Sequence, residues 1–368
     1  MGPPNLRPSG KVFGAAVLAV AATYGYFLIF AQFGFLKAVV AAEAGGRFLR
    51  PVMVVMGLAG IAGSVLAAWV YEVRRSRRLL AAGFATCAVA VVSSFAAGTP
   101  AGFYIVAFLV GLGAGFTTVT LASILRRVLG GERLGLAIGL GTGAAYGLCN
   151  LPGVFTAGAA VQAGWALLAA GAGLTGTLGL APGASPPVPP GAGYARIGVT
   201  AWVAVLLALV FLDSAAFYII QHTPALLADS WQGAGRLLAN AAMHFVAAIA
   251  AGWLLDRGWV GGLTALGALL LLLACGLVAS GHPIVAGTVL LYTAGVSIYS
   301  TVLVYYPAYG SRPWLAALVY AVAGWGGSAL GIGLAQSRSA LPPAIVVGAA
   351  AVIGAGLLVP RWCRRHLG

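Results

Sequence analysis

Asp213 stands deep inside an apolar run, in Leu209-Val210-Phe211-Leu212-Asp213-Ser214. An ionisable group at such depth is expensive in hydrocarbon, so it faces a cavity or a polar partner and is a functional-site candidate. In the next apolar run His244 follows Asn240 by four residues, which sets both on one helical face. Asp213 lies eight residues before the expected end of its helix near Gln221, and His244 eight residues after the next start near Arg236. At 1.5 Å per residue each sits about 12 Å from the same side, so adjacent antiparallel helices could bring carboxylate and imidazole together. Such a pair could exchange a proton. Gln32, Asn150, Tyr292 and Tyr299 are further polar tips in apolar runs, and Phe217 and Tyr218, with Tyr24, Tyr26, Phe27 and Phe30, could wall a pocket. Each polar tip alone reads as an interhelical hydrogen bond. Together they are better explained as a site for substrate and proton coupling.

A second chemistry is available to the same region. Met243-His244 and the pair Met53 and Met56 offer thioether and imidazole ligands of the kind soft copper ions prefer. Against that stand only four methionines, one of them the initiator. Cys87, Cys149, Cys275 and Cys363 are scattered without a Cys-x-x-Cys pair, which argues against disulfides and a cysteine-built metal site. The chain has no phosphate loop of an ATPase and no zinc-protease helix motif, and it offers no suitable serine elbow. Neither enzyme activity nor a cofactor is expected.

The elements that must hold these residues are apolar helices. The 368 residues are 61% hydrophobic and only 7% charged, and a run of about 20 apolar residues matches a bilayer's hydrocarbon core. The spacing predicts an all-α polytopic protein with spans at 12–36, 50–71, 79–98, 101–124, 134–158 and 160–180, then 198–221, 236–256, 259–280, 283–306, 311–335 and 341–360. The first span is too long for a signal-peptide core and is expected to stay in place. Gly98-Thr99-Pro100 and Gly281-His282-Pro283 form tight hairpins at matching places, which suggests a duplicated six-helix unit. The proline-rich stretch from Ala181 cannot continue a helix and reads as a linker over 181–196, between six-helix bundles at 1–180 and 197–368.

The net charge of +14 comes from short basic loops, read as orientation signals and not as a nucleic-acid surface. With the N-terminus inside, fifteen Lys and Arg fall on the cytoplasmic side; Lys37, Arg47, Arg50, Arg236 and Arg338 stay outside. Both termini are then cytoplasmic, in what is expected to be a bacterial inner membrane. Trp231, Trp253, Trp259 and Trp314 fall near predicted interfaces and read as aromatic-belt anchors. Gly327 and Gly331 form a small-residue stripe of the kind that packs helices.

Six plus six helices around a central cytoplasmic linker resemble the major facilitator superfamily. The most specific local match is Gly252-Trp-Leu-Leu-Asp256-Arg257-Gly258, similar to that family's loop motif. An aspartate there can cap a neighbouring helix, and an arginine can reach carbonyls of its partner; the pair would act as a conformational latch. The loop of the first half, Glu72-Val-Arg74-Arg75, keeps the basic run but lacks the Asp-Arg-x-Gly core. Gly111, Gly113 and Gly115 resemble the glycine-rich stretch of span four, where Ala107 replaces the family's arginine. The glycines of span five (Gly139, Gly141, Gly143, Gly147) lack a clean antiporter motif.

The resemblance implies a monomeric secondary transporter of a small solute, working by alternating access in a lipid bilayer, with proton coupling open. The competing readings are a copper importer of that fold, and a non-transporting subunit or assembly factor of a larger membrane complex. A lone buried acid favours a cationic or neutral solute.

Overall fold

The computed structural model of the protein describes residues 9–42, 47–180, 196–280, 286–336, 338 and 340–366. Among these residues all regular structure is helical. Hydrocarbon demands this outcome, because a helix satisfies its own backbone donors and acceptors. The long helices are α1 Gly10–Ala42, α2 Leu49–Val70, α3 Val73–Ser94, α4 Pro100–Leu129, α5 Leu134–Cys149 and α6 Ala159–Gly179. After the linker come α7 Arg196–His222, α8 Ala234–Leu255, α9 Val260–Ala279, α10 Ala286–Gly310, α11 Pro313–Ala335 and α12 Pro343–His366. Nine helices of the described residues are long and apolar enough to cross a membrane. Of the rest, α5 has only 16 residues, while α6 has sufficient length but carries Gln162, threonines and glycines. The linker 181–195 and the Gly281-His282-Pro283 hairpin lie outside the described residues. Within Gly98-Thr99-Pro100, Thr99 caps α4, accepting a hydrogen bond from the Gly102 amide at 3.2 Å.

Two details depart from the expected spans. The fifth ends at Cys149 instead of continuing to 158, and a short helix Pro152–Phe155 follows. The Asn150 side chain takes the Tyr146 carbonyl at 2.9 Å, and Pro152, which lacks an amide hydrogen, starts a new helix instead of extending the old one. A second short helix, Pro224–Ser230, separates α7 from α8.

Helices α1 to α6 pack mainly on one another, through α2 on α4, α1 on α5 and α6, and α3 on α4 and α6. Helices α7 to α12 do likewise, through α7 on α11 and α12, α8 on α10 and α9 on α10. The two sets meet through α5 on α8, α2 and α4 on α11, and α4 and α5 on α10. Small residues make the close packing possible. A Cβ on Gly111 or Gly115 would stand 2.1 or 2.2 Å from α2 carbonyls, and one on Gly331 would stand 2.3 Å from the Phe211 carbonyl of α7.

Candidate functional site

The α5–α8 seam is built from glycines at four-residue spacing, hence on one helical face. A Cβ on Gly135 would meet the Gly252 carbonyl oxygen at 2.3 Å, and one on Gly139 the Ala248 oxygen at 2.3 Å. On Gly143 and Gly147 the same test gives 3.1 Å to Phe245 and 3.6 Å to Ala241. The two helices therefore touch backbone to backbone at one end and part toward the other.

At the tight end Asp256, just past α8, reaches across to the start of α5. Its Oδ1 accepts from the Gly135 amide at 2.5 Å and its Oδ2 from the Leu136 amide at 2.8 Å. Arg133, at the N-cap position of α5, makes no side-chain bond there, so α5 receives its cap from the other set of helices. Gly258, at φ +83°, supplies the left-handed turn that ends this loop. Arg257 stays on its own helix: its guanidinium lies 3.2 Å from the Trp253 ring centroid and donates to the Trp253 carbonyl. The sequence match thus holds for the aspartate as a cap, while the arginine reaches a carbonyl of its own helix instead of the partner's. Beside this contact Arg126 of α4 donates to the Tyr309 carbonyl of α10 at 2.5 Å, and Ser311 donates to the Ser123 carbonyl at 3.1 Å.

Burial pushes the Asp256 carboxyl up to about 6, against the opposing pull of the Leu136 and Gly135 amides and Arg257. A group raised when the seam is closed and returned to the usual range near 4 when it opens takes up a proton on closing. Closure should therefore be favoured as pH falls from about 6 toward 4 and be insensitive to pH above about 7. Distances between spin labels on the α4–α5 and α8–α9 loops, followed from pH 7.5 to 5, check the sign. In Asp256→Ala the closed arrangement should lose about 0.5–2 kcal/mol relative to the open one, the usual cost of a lost cap, and the pH response should vanish.

Further along, the polar residues converge on α10. Tyr292 and Tyr299, seven residues and therefore two turns apart, both donate their hydroxyls to the Asp213 carboxylate of α7. His244 of α8 shares a hydrogen bond with Ser297 of α10 at 2.7 Å through Nδ1. Its ring stacks on Tyr146 of α5, centroids 4.7 Å apart, and the Tyr146 hydroxyl lies 2.9 Å from Ser300 Oγ. Thr142 of α5 meets Thr301 of α10 at 3.2 Å, and Tyr24 of α1 meets Tyr320 of α11 at 2.8 Å. The result is a cluster of one half-buried carboxylate, one buried imidazole and a surround of hydroxyls, contributed by both sets of helices. The direct Asp213–His244 pair expected from matching depth does not form. α10 presents its hydroxyls to both groups, and each is satisfied there.

The remaining candidates occupy the opposite end. The Asn150 carbonyl accepts from the Trp231 indole at 2.9 Å, and Asn240 donates to the Ser230 carbonyl at 3.1 Å, so both amides hold the short segment before α8. Trp231 is buried, in contrast to its expected place in an aromatic belt: it packs edge-on against Phe217 and Tyr292. Phe33 bridges Phe217 of α7 and Phe155 at 5.9 and 5.4 Å, and Lys37 donates to the Phe155 and Ala157 carbonyls. Trp253, Trp259 and Trp314 are exposed, as belt residues should be. Gln32 is half-buried, with no hydrogen-bond partner among the described residues. Tyr26 and Phe30 lie within the first set of helices, and Tyr218 stacks on His222 of its own helix.

The four copper-ligand candidates are divided. Met53 accepts from Gln336 of α11 at 3.6 Å and Met56 is buried on α2, while Met243 and His244 belong to α8, whose partners are α5 and α10. Among the described residues no group of three or more His, Cys, Asp or Glu could hold a metal ion.

Sequence reasoning missed Tyr146, Ser297, Ser300 and Tyr320. A signal existed in α10, where Thr293, Ser297, Ser300 and Thr301 interleave with Tyr292 and Tyr299 in an otherwise apolar run. Two π-helical stretches, Phe27–Gly34 in α1 and Val319–Gly326 in α11, were also beyond it. They face each other through Phe27 and Trp325, ring centroids 5.6 Å apart.

No protein-family model matches the sequence. No characterised protein matches it by sequence either. Solved structures do match the fold. A proton:xylose symporter of the major facilitator superfamily superposes with a TM-score of 0.69 at 11% identity, over 98% of this chain and 97% of that one. The human organic anion transporter TETRAN gives 0.66 at 13% identity, over 97% and 99%. A bacterial homologue of the iron transporter ferroportin, in an outward-facing state, gives 0.64 at 11% identity, over 96% and 98%. Apolar helices and this overall likeness agree on a multi-pass integral membrane protein with the fold of major facilitator transporters.

Proposed function

We propose that the chain is a secondary transporter of a small solute, with halves at 1–180 and 197–368 that rock about the polar cluster. Both termini and the Asp256 cap are assigned to the cytoplasmic side, following the excess of Lys and Arg there. The observation that carries this reading is the cluster itself. Asp213, Tyr292, Tyr299 and His244 from one half meet Tyr146 from the other, deep within apolar helices. Polar groups shared across two halves that need not stay together give a binding site each half can present in turn. Both ends carry cross-contacts, through Asp256 at one and Trp231 at the other, which fits a closed intermediate of such a cycle.

The cluster contains no Lys or Arg, so an anion would lack its counter-charge there; a cationic or neutral solute suits it. The copper reading draws no support from the separated methionines. Thermal-shift screening of the purified protein against amines, sugars, metals and carboxylates should identify a ligand. Proteoliposomes with an imposed pH gradient should then accumulate it. If no compound binds or moves and the protein co-purifies with a larger membrane complex, the assembly-factor reading replaces this one.

A further inference from the structure

A cavity of about 490 Å³ opens at the Asp256 end, between α4, α7 and α10. This is the size range of small-molecule pockets. Its walls are aromatic, with Trp202 stacked on Tyr306 at 5.1 Å and Tyr305 stacked on Tyr309 at 5.4 Å. Its charged lining is Glu132, Asp256 and Arg126. Two of these charges are already engaged. Asp256 caps α5, and Arg126 lies 4.1 Å from the Tyr309 ring centroid while donating to the Tyr309 carbonyl. Glu132 is exposed and has no ion-pair partner among the described residues. Hydrogen bonds to neutral groups do not cancel charge, so two carboxylates against one guanidinium leave the lining with a formal balance of one negative charge.

We propose that this vestibule is a binding site for an organic cation, lodged against the Trp202 and Tyr309 faces and competing with Arg126 for the latter. Aromatic faces attract cations through their quadrupoles, and Arg126 occupies one of them in that way. Arg126 belongs to α4 and Tyr309 to α10, so a cation that displaces the guanidinium also removes a contact between the halves. Arrival of the ligand and release of the cytoplasmic face become one event. Only this last consequence rests on the transporter reading; the binding site does not.

The test uses the full-length protein in nanodiscs, titrated calorimetrically with phenyltrimethylammonium and, separately, with benzenesulfonate; empty nanodiscs report lipid partition. The cation should bind and the sulfonate should not. Trp202→Ala and Tyr309→Leu should weaken the cation by about fivefold or more each, and Tyr309→Phe should retain it. Arg126→Gln should tighten it, because the competing guanidinium is gone. Asp213→Asn should leave it unchanged even where solute uptake is lost, which separates failure of this proposal from failure of the transport reading. Absence of cation binding overturns the proposal. So does sulfonate binding that disappears in Arg126→Gln, or cation affinity that ignores both Trp202→Ala and Tyr309→Leu in folded, monodisperse protein.

Discussion

On the proposed reading, with transport coupled to protons at this site, Asp213→Asn is expected to abolish accumulation under a pH gradient while leaving a folded protein. The carboxylate accepts from two phenols at once, Tyr292 and Tyr299, one on each oxygen. Asparagine keeps the size but offers one acceptor and one amide donor in that space. The amide oxygen can take the Tyr299 hydroxyl, while Tyr292 keeps its second acceptor, the Asp213 backbone carbonyl at 3.2 Å, so about one hydrogen bond is lost, at about 0.5–1.5 kcal/mol. The stability cost should be of that order, and thermal unfolding in detergent measures it. The functional cost is separate. Asparagine cannot titrate, so a cycle that alternately loads and releases a proton at this position stops. Uptake under an imposed pH gradient should fall to background, while exchange of labelled for unlabelled solute across the membrane, which needs no net proton movement, should survive in part. Wild-type accumulation with unchanged pH dependence would make Asp213 a structural carboxyl and return the cluster to ordinary helix pinning.

The fold was legible because the bilayer leaves so few options: apolar runs of spanning length must be helices. Boundaries failed where the chain runs out of amide donors, as at Pro152, which cannot extend α5 and instead opens the short helix Pro152–Phe155. The aspartate of the Gly252–Gly258 stretch was also legible as a cap, because its chemistry needs only a helix start within reach. Its target, the amides of Gly135 and Leu136, depends on how two distant helices meet, which no local pattern encodes.

The polar cluster was legible in its members but not in its wiring. Depth along a helix follows from counting residues, so Asp213 and His244 could be placed at matching levels. Azimuth between helices does not, and α10 carries enough hydroxyls to satisfy both groups separately. Asn150, Asn240 and Trp231 looked like cavity or belt residues by type. The packing joins the first to the third and uses the second to hold the carbonyl of Ser230. The vestibule was invisible, since Trp202 lies on α7 and Tyr306 and Tyr309 on α10, and how those helices meet is not encoded locally.

Gly252→Ala should force the α5–α8 seam open at the Asp256 end. The added Cβ would stand 2.3 Å from the Gly135 carbonyl oxygen and 3.0 Å from the Gly139 Cα. Those are backbone atoms, so no rotamer change relieves the clash and α5 must retreat by about 1 Å to reach ordinary contact. Alanine is itself the better helix former by about 1 kcal/mol, so propensity alone predicts stabilisation. Gly276→Ala on α9, where nothing lies within 4 Å of the new atom, isolates that gain and should raise the unfolding midpoint. At Gly252 overpacking of about 1–3 kcal/mol outweighs it, and the strain falls on the closed seam only. Separation of α5 from α8 also draws the Gly135 and Leu136 amides away from Asp256, so cap and packing are lost together. A bias of that size shifts a conformer ratio by roughly 5- to 150-fold. Spin labels at Arg74 and Arg312, in a Cys363→Ser background, should report a longer distance between the α2–α3 and α10–α11 loops in Gly252→Ala and an unchanged one in Gly276→Ala. Equal distances in the two variants would mean that the seam yields elsewhere and does not control the opening of this face.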